Sequence, residues 1–379
     1  MSKLIIQNGN MCELDLPLKF AQKLYNEFAI RHPNAFYLRT RQRGMQNWDG
    51  KIHYITKTGQ FKIGLLPKVY DMCIEMGIKP KVVDMRQPLP KISKVVTNIG
   101  KYKLRPEQEK AVKSVINNRV GDTPFHIGVL DYTVNAGKTL IMSSLYLTYK
   151  KQLKTLLITN DSDWLNQARE EFKQYLPGED ITFVQGKVLN WSNFTIGMVQ
   201  SISRNMRFYQ KELSQIDMVL VDEADQGGSK QYQNVITRLF NTRIRIGLSG
   251  TIYMSKLAKD KVKNMNLECF FGKVLAEFKL KDSIKKGYST KTVVKMVPGK
   301  PWYGNWESDC ISYKEIYDDS ITNCYTAWLM AYNRLLWNLN QGRYPALVVC
   351  KHIAHCENLY KFFKKKLGDA YNIAYVHVN

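Results

Sequence analysis

The chain of 379 residues has room for two or three domains, and its 44% hydrophobic content excludes a largely disordered polypeptide. Its 56 lysines and arginines outnumber 33 acidic residues, and the net charge of +23 predicts a polyanionic partner, with nucleic acid favoured. No apolar stretch approaches the roughly 18 residues of a membrane span, and the N-terminus does not form a signal peptide. We therefore expect a cytoplasmic protein without a membrane partner.

Residues 1–95 predict a small α+β accessory domain that binds DNA. Residues 13–30 repeat apolar positions at helical spacing, whereas residues 35–44 alternate as a strand does. The alternation predicts a strand face of Tyr37, Arg39, Arg41 and Arg43, with guanidinium groups about 6.6 Å apart, close to the phosphate interval of a DNA strand. A solvated outer sheet face is the alternative interpretation.

Strands broken by turns at Asp49-Gly50 and Thr58-Gly59 follow this segment. Residues 65–77 predict a short helix that ends at Gly77. The proline- and lysine-rich residues 79–93 predict a linker to the next domain.

Residues 96–288 alternate strands with helices. Apolar segments predict strands at residues 126–133, 155–160, 181–186, 194–200, 216–223 and 244–251. Such strands indicate a parallel sheet with helices on both faces, an α/β fold. A second unit of this type is predicted for residues 289–379, with a helix over 320–342, a strand at 345–350, another helix, and a strand at 372–379.

The seven cysteines are scattered without a Cys-x-x-Cys pair, which favours a reducing compartment. Cys350, His352, His355 and Cys356 are close in sequence, but ligands packed into so short a segment do not match the two-pair spacing of zinc sites. The pattern favours a turn between a strand and a helix.

Gly137, Lys138 and Thr139 lie between a predicted strand and a predicted helix, the context of a phosphate-binding loop. In such a loop backbone amides surround the phosphates, the lysine reaches the β and γ groups, and the hydroxyl ligates Mg²⁺. Tyr132 and Asn135 stand where glycine is usual. A lysine at an ordinary helix start is the alternative.

Asp222 and Glu223 end an apolar strand further along the chain. One carboxylate at such a strand end can hold Mg²⁺, and its neighbour can orient and deprotonate water. A solvated acidic helix start is the alternative when the pair is taken alone. The segments LRPEQ at 104–108 and GLSGT at 247–251 complete four elements in the right order, which favours an ATPase with ATP and Mg²⁺ as cofactors.

These residues resemble the motifs of superfamily 2 helicases of the DEAD/DEAH group. The resemblance implies a RecA-like sheet at 96–288 and places Gln108 and Arg105 beside the adenine. It places Asn135, Ala136, Gly137, Lys138 and Thr139 around the phosphates. It assigns Asp222 and Thr139 to Mg²⁺, Glu223 to the attacking water, and Ser249 and Thr251 to the coupling of hydrolysis to strand movement. Gln167 and Gln200 fall where two further motifs contact nucleic acid.

The N-terminal region resembles that of one group of proteins within this superfamily. Residues 47–73 are similar to the small N-terminal domain of phage recombination and repair helicases of the UvsW type. This implies an ATP-dependent DNA helicase or translocase of phage origin that acts on double-stranded or branched DNA, with single-stranded DNA as a further candidate ligand.

Three departures from the family pattern matter. Asn135 replaces a small residue, although asparagine tolerates left-handed backbone angles. Asp161 stands where threonine is usual. An acid would repel a phosphate, so we do not assign the DNA contact of that motif to Asp161. The chain also ends before the glycine-rich and arginine-bearing motifs, so residues 289–379 are expected to be an incomplete second RecA-like domain. A missing arginine finger costs on the order of 10³–10⁵ in rate, which predicts weak hydrolysis unless a second polypeptide supplies the remainder.

Two other functions fit part of the pattern. A phage DNA-packaging ATPase shares the phosphate loop and the acidic pair, but it should continue into a nuclease domain with spaced acidic residues. After residue 290 the sequence instead predicts helices and a strand. A non-catalytic DNA-binding fragment that keeps a nucleotide site without turnover is the other alternative.

Overall fold

The computed structural model describes residues 2–41, 45, 47–92, 94–149, 152–188, 191–252, 260–291, 312–343 and 346–376. The chain divides into two units, residues 1–291 and residues 292–379. Among the described residues no helix is long and apolar enough to cross a bilayer. The six cysteines in these ranges are free thiols, and Cys310 lies outside them.

The N-terminal region builds a small mixed sheet. Its elements are, in chain order, β1 (Lys3–Ile6), β2 (Met11–Asp15), α1 (Leu18–Glu27), β3 (Ala29–Arg31), α2 (Ala35–Arg41), β4 (Lys51–His53), β5 (Gln60–Lys62), α3 (Leu66–Glu75) and β6 (Lys81–Asp84). The sheet has the order β5-β2-β1-β6, in which only β1 and β6 are parallel, and β3 pairs with β4. The predicted turns at Gly50 and Gly59 and the predicted end of α3 before Gly77 are confirmed.

Three predictions for this region are wrong. Residues 13–30 do not form one helix, because β2 buries alternate residues and the helix begins only after Pro17. Residues 35–41 form α2 instead of a strand, since only Ala35 is buried and no buried face enforces a strand register. Arg39 and Arg41 therefore project about 160° apart around the helix axis and form no flat row of cations, and Arg43 lies outside the described residues. The predicted linker contains β6, whose Val82 lies beside Leu4 of β1.

The larger part of the first unit alternates strands and helices. Its elements are β7 (Asn98–Ile99), β8 (Tyr102–Lys103), α4 (Pro106–Ile116), β9 (Arg119–Val120), β10 (Thr123–Pro124), β11 (His126–Tyr132), α5 (Lys138–Thr148), β12 (Thr155–Thr159), α6 (Ser162–Tyr175), β13 (Ile181–Val184), β14 (Phe194–Met198), α7 (Val199–Arg204), α8 (Gln210–Ser214), β15 (Met218–Asp222), α9 (Lys230–Ile236), β16 (Ile244–Ser249), α10 (Lys261–Phe271), β17 (Val274–Phe278) and α11 (Leu280–Lys285).

A parallel sheet of order β13-β14-β12-β15-β16-β11-β17 forms the centre of this region. Its central strands β12, β15, β16 and β11 are buried along their whole length because both faces are covered: Leu156 and Ile158 of β12 belong to one core cluster and Leu157 to the other. The six predicted strands are confirmed, whereas β17 is an addition that the sequence pattern does not predict. The predicted domain boundary near residue 95 stays a prediction. Leu4 of the N-terminal region and Phe271 of α10 belong to one core cluster, so the residues on the two sides of this boundary share a core.

Residues 292–379 contain α12 (Tyr313–Tyr317), a π-helical turn at Asp318–Thr322, α13 (Tyr325–Asn340) and α14 (Ile353–Leu367). Aromatic and aliphatic side chains of α13 and α14 pack together around Phe362 and Phe363. Both long helices are thus confirmed. The strands predicted at 345–350 and 372–379 are wrong where the structure describes them, at residues 346–350 and 372–376. A strand requires a paired neighbour, and none of the described segments pairs with these residues. A second RecA-like domain stays a prediction.

A buried arginine joins the N-terminal region to the large sheet. Arg245 of β16 is fully buried, and its guanidinium donates to Gly9 O at 2.6 Å, Asn10 Oδ1 at 2.8 Å and Phe270 O at 3.1 Å. Burial, with a smaller contribution from Arg86, lowers the pKa of Arg245 to about 9. The turn at Gly9–Asn10 is therefore held to β16 by a cation that bonds neutral oxygens.

Replacing Arg245 with alanine should lower the free energy of unfolding by about 3 kcal/mol or more, because buried oxygens lose their donor and a cavity opens. Urea denaturation followed by circular dichroism measures the change. Arg119→Ala removes an exposed guanidinium and should cost less than about 0.5 kcal/mol. Equal losses in the two variants would contradict the structural role of Arg245.

Candidate nucleotide site

The phosphate loop connects β11 to α5 and contains two residues with left-handed backbone angles. Asn135 has φ +63°, as its residue type allows, and Gly137 has φ +74°. A Cβ at Gly137 would lie 2.3 Å from Gln108 Nε2, so both the backbone angle and the available space require glycine. Tyr132 is fully buried, and its hydroxyl donates to Glu107 O at 2.7 Å, which fastens the end of β11 to α4.

Arg105 and Gln108 hold this loop, and both bond the Ala136 carbonyl. Arg105 Nη2 donates to Ala136 O at 2.7 Å, and Gln108 Nε2 donates to the same oxygen at 2.9 Å. The carbonyl and the N–H of a trans peptide point in opposite directions, so anchoring Ala136 O turns the Gly137 N–H to the other side of the loop. Gln108 is 1% exposed and its amide oxygen accepts from Arg105 N at 2.8 Å. The adenine contact of both residues stays a prediction.

Lys138 contacts both acids of the predicted pair. Its Nζ lies 2.9 Å from Glu223 Oε1 and 3.4 Å from Asp222 Oδ1. Burial alone would lower the pKa of Lys138, but the two carboxylates outweigh it and raise that pKa above the ordinary value. Burial likewise raises the pKa of Asp222, although Lys138 opposes the shift. The loop and the acidic strand end therefore converge, as the ATPase interpretation requires.

The carboxylate of Asp222 fits a divalent cation. Its side chain is 4% exposed, and Oδ1 lies 3.4 Å from Lys138 Nζ without the geometry of a hydrogen bond. So long an ion pair compensates a buried carboxylate oxygen incompletely, and a directly bound cation would satisfy it better. Mg²⁺ needs only one or two protein carboxylates and takes its remaining ligands from water and phosphates. Thr139 is half-buried in the first turn of α5, and its contact with the ion stays a prediction.

Ser249 lies between the loop and the acids. The order of the sheet places β16 between β11 and β15, so the end of β16 separates the two halves of the site. Ser249 Oγ lies 3.1 Å from Asp225 Oδ1 and 3.5 Å from Glu223 Oε2, and it accepts from Thr251 N at 3.2 Å. Ser249 therefore touches the same acid as Lys138. The coupling role of Ser249 and Thr251 stays a prediction.

Known proteins match both the sequence and the fold. Residues 101–254 match the family described as type III restriction enzyme, res subunit. The ATP-dependent DNA helicase UvsW of Enterobacteria phage T4 is 20% identical over 372 residues, which cover 86% of this chain and 66% of that protein. The resemblance to superfamily 2 helicases is confirmed.

Two crystal structures of UvsW from bacteriophage T4 show the same RecA-like helicase fold. One superposes with a TM-score of 0.55 at 21% identity and covers 73% of this chain and 99% of its own. The other gives a TM-score of 0.56 at 20% identity and covers 96% of this chain and 73% of its own. The predicted α/β fold class is therefore confirmed.

The remaining motif residues lie on α6 and α7, the helices that follow β12 and β14. Gln167 is exposed on α6, and Gln200 in the first turn of α7 donates to Asn160 O at 3.1 Å. Asp161 caps α6 by accepting from two amides of its first turn, a structural role that needs no DNA contact. The nucleic-acid contacts of Gln167 and Gln200 stay predictions.

The sequence patterns do not predict the contacts that hold the segment after β17 to the site. Lys286 Nζ lies 2.6 Å from Glu107 Oε2, and the guanidinium of Arg105 stacks 4.1 Å from the centre of the Tyr288 ring. The partners are far apart in sequence, and no spacing rule connects them. Asp225 is missed as the partner of Ser249 for the same reason.

Gly137→Ala should destabilise the protein more than Gly178→Ala. The two glycines have φ +74° and +79°, so both substitutions carry a similar backbone strain of about 1 kcal/mol. Only at position 137 does the new Cβ displace Gln108 from Ala136 O, which adds about 1 kcal/mol. Thermal unfolding measures the difference, and equal losses would show that Gln108 does not pack against the loop.

Glu223→Gly should be more stable than Glu223→Ala by about 1 kcal/mol, the reverse of the usual order, because a left-handed residue favours glycine. Glu223 has φ 49° and ψ 51°. Both variants lack the carboxylate, so their difference reports on the backbone alone. Denaturant titration of the two variants gives this difference, and a more stable alanine variant would exclude the left-handed conformation.

Proposed function

We propose that this chain is an ATP-dependent DNA helicase or translocase that works in phage recombination, repair or replication. The contact of Lys138 with both Asp222 and Glu223 carries the proposal, because these groups are the ones that bind and hydrolyse a nucleoside triphosphate. The named activity of the T4 relative and the net charge of +23 support DNA as the polyanion. Double-stranded or branched DNA and the bacterial host cytoplasm are the proposed substrate and location.

The nucleotide itself would switch the site from its observed state. An incoming phosphate competes with Glu223 for the Lys138 ammonium, and the amides at the start of α5 bind the phosphate oxygens. Once the Lys138 ammonium has moved to the phosphate, the Glu223 carboxylate can accept a proton from the attacking water. Asp222 and Thr139 would hold Mg²⁺, which neutralises charge on the phosphates.

DNA contact is proposed at Gln167 on α6 and Gln200 on α7, the helices that follow β12 and β14. Arg39 and Arg41 are exposed on α2 and would add nonspecific attraction for phosphates as independent cations. Movement of Glu223 during hydrolysis would reach Ser249 through their contact, and from there β16. These assignments follow the family motifs and the placement of the side chains.

Lys138→Ala should reduce DNA-stimulated phosphate release by on the order of 10²-fold or more, because one preorganised donor to the phosphates is lost. Phosphate release with and without DNA measures the effect, and Lys261→Ala on the exposed side of α10 is the matched control. A melting curve of each variant verifies folding. Equal DNA-stimulated rates in wild type and Lys138→Ala would support the non-catalytic DNA-binding alternative.

A further inference from the structure

A basic cavity of about 800 Å³ lies where α7, α8 and the turn after α9 meet. Lys187, Arg204, Arg207 and Arg238 contribute to its lining, and all four are exposed. None of the described residues that line it is acidic. No residue of the phosphate loop or of the acidic pair takes part, so the cavity is separate from the nucleotide site.

Hydrogen bonds of a buried tyrosine fix the walls of this cavity. The Tyr209 hydroxyl donates to Gly186 O at 2.7 Å and accepts from Val188 N at 2.8 Å. It thereby ties the loop that carries Lys187 to the segment that carries Arg207. Tyr209 is 1% exposed and packs against Trp191, with ring centres 5.0 Å apart. The backbone around Tyr209 therefore holds Lys187 and Arg207 at the same cavity.

The charge of the cavity is uncompensated. Within the described residues none of its four cations forms an ion pair. Like charges gathered around one cavity repel each other, and an anion that enters relieves this repulsion. Arginine guanidinium groups form paired hydrogen bonds with phosphate, so a phosphodiester backbone matches both the charge and the geometry.

Phe208 adds a second chemical feature to the cavity. The residue is 47% exposed, and Lys187 Nζ lies 5.7 Å from the centre of its ring. Cations beside an exposed aromatic ring bind single-stranded nucleic acid, because the cations contact phosphates while an unpaired base stacks on the ring. A duplex keeps its base faces stacked internally and would use only the cations.

We propose that this cavity binds a single-stranded DNA segment, with phosphates on Arg204 and Arg207 and a base against Phe208. Helix α7 carries Gln200 in its first turn and Arg204 at its end, about 6 Å further along the axis. The cavity would therefore extend the strand path beyond Gln200. The identity of the ligand as DNA rests on the proposed function, whereas the site itself uses other residues.

The test compares two variants that each remove two positive charges. Arg204→Ala combined with Arg207→Ala changes the cavity, and Lys261→Ala combined with Lys263→Ala changes the exposed side of α10. Fluorescence anisotropy gives the affinity of the nucleotide-free protein for labelled oligo(dT) at several salt concentrations. The slope of log affinity against log salt should fall by about 1.4 in the arginine variant, at about 0.7 per single-strand phosphate, and stay unchanged in the lysine variant.

Phe208→Ala tests the base contact separately. Its affinity for oligo(dT) should fall on the order of tenfold, while its affinity for a blunt duplex stays at the wild-type value. An equal loss for both DNAs would overturn the stacking contact. Equal slopes of log affinity against log salt in the arginine and lysine variants would show that this cavity does not bind DNA. Its ligand would then be another anion, such as an acidic peptide. A wild-type protein that binds no DNA at all would reject the proposed function together with this inference.

Discussion

The contact of the Lys138 ammonium with the carboxylates of Asp222 and Glu223 is the constraint on which the site depends. A partly buried cluster of this kind contributes little net stability, because desolvation and solvent screening offset most of the attraction. Its surroundings add further cost, since Asn135 and Glu223 have left-handed angles and Asp222 Oδ1 has no well-formed hydrogen bond among the described residues. Strain and unsatisfied charge of this kind are typical of a site prepared for a ligand.

Strand β16 connects this site to the N-terminal region. Near its start, Arg245 bonds the turn at Gly9–Asn10, and at its end Ser249 touches Glu223. The strand also lies between β11 and β15, which carry the phosphate loop and the acids. One strand therefore contacts the turn of the small N-terminal sheet, the loop strand and the acid strand.

Local patterns predict the parts of this structure that are local in origin. The strands around Lys138 and Asp222 are continuous apolar runs with helices between them, and the loop has a fixed spacing, so both follow from sequence. The alternation at Tyr37–Arg41 misleads because no buried face enforces it, and α2 forms instead. The strands predicted after residue 345 lack a described partner, and pairing is not a local property. Contacts such as Arg105 with Tyr288, or the convergence of Arg204 with Arg238, join distant segments and leave no periodic signal.

The most direct test is a crystal structure of the protein with Mg²⁺ and a non-hydrolysable ATP analogue. We expect Lys138 Nζ within about 3 Å of a β- or γ-phosphate oxygen and away from Glu223. We also expect Asp222 bound to Mg²⁺, directly at about 2.1 Å or through a coordinated water. A nucleotide bound elsewhere, or one bound while Lys138 still contacts Glu223, would contradict the assignment of this site.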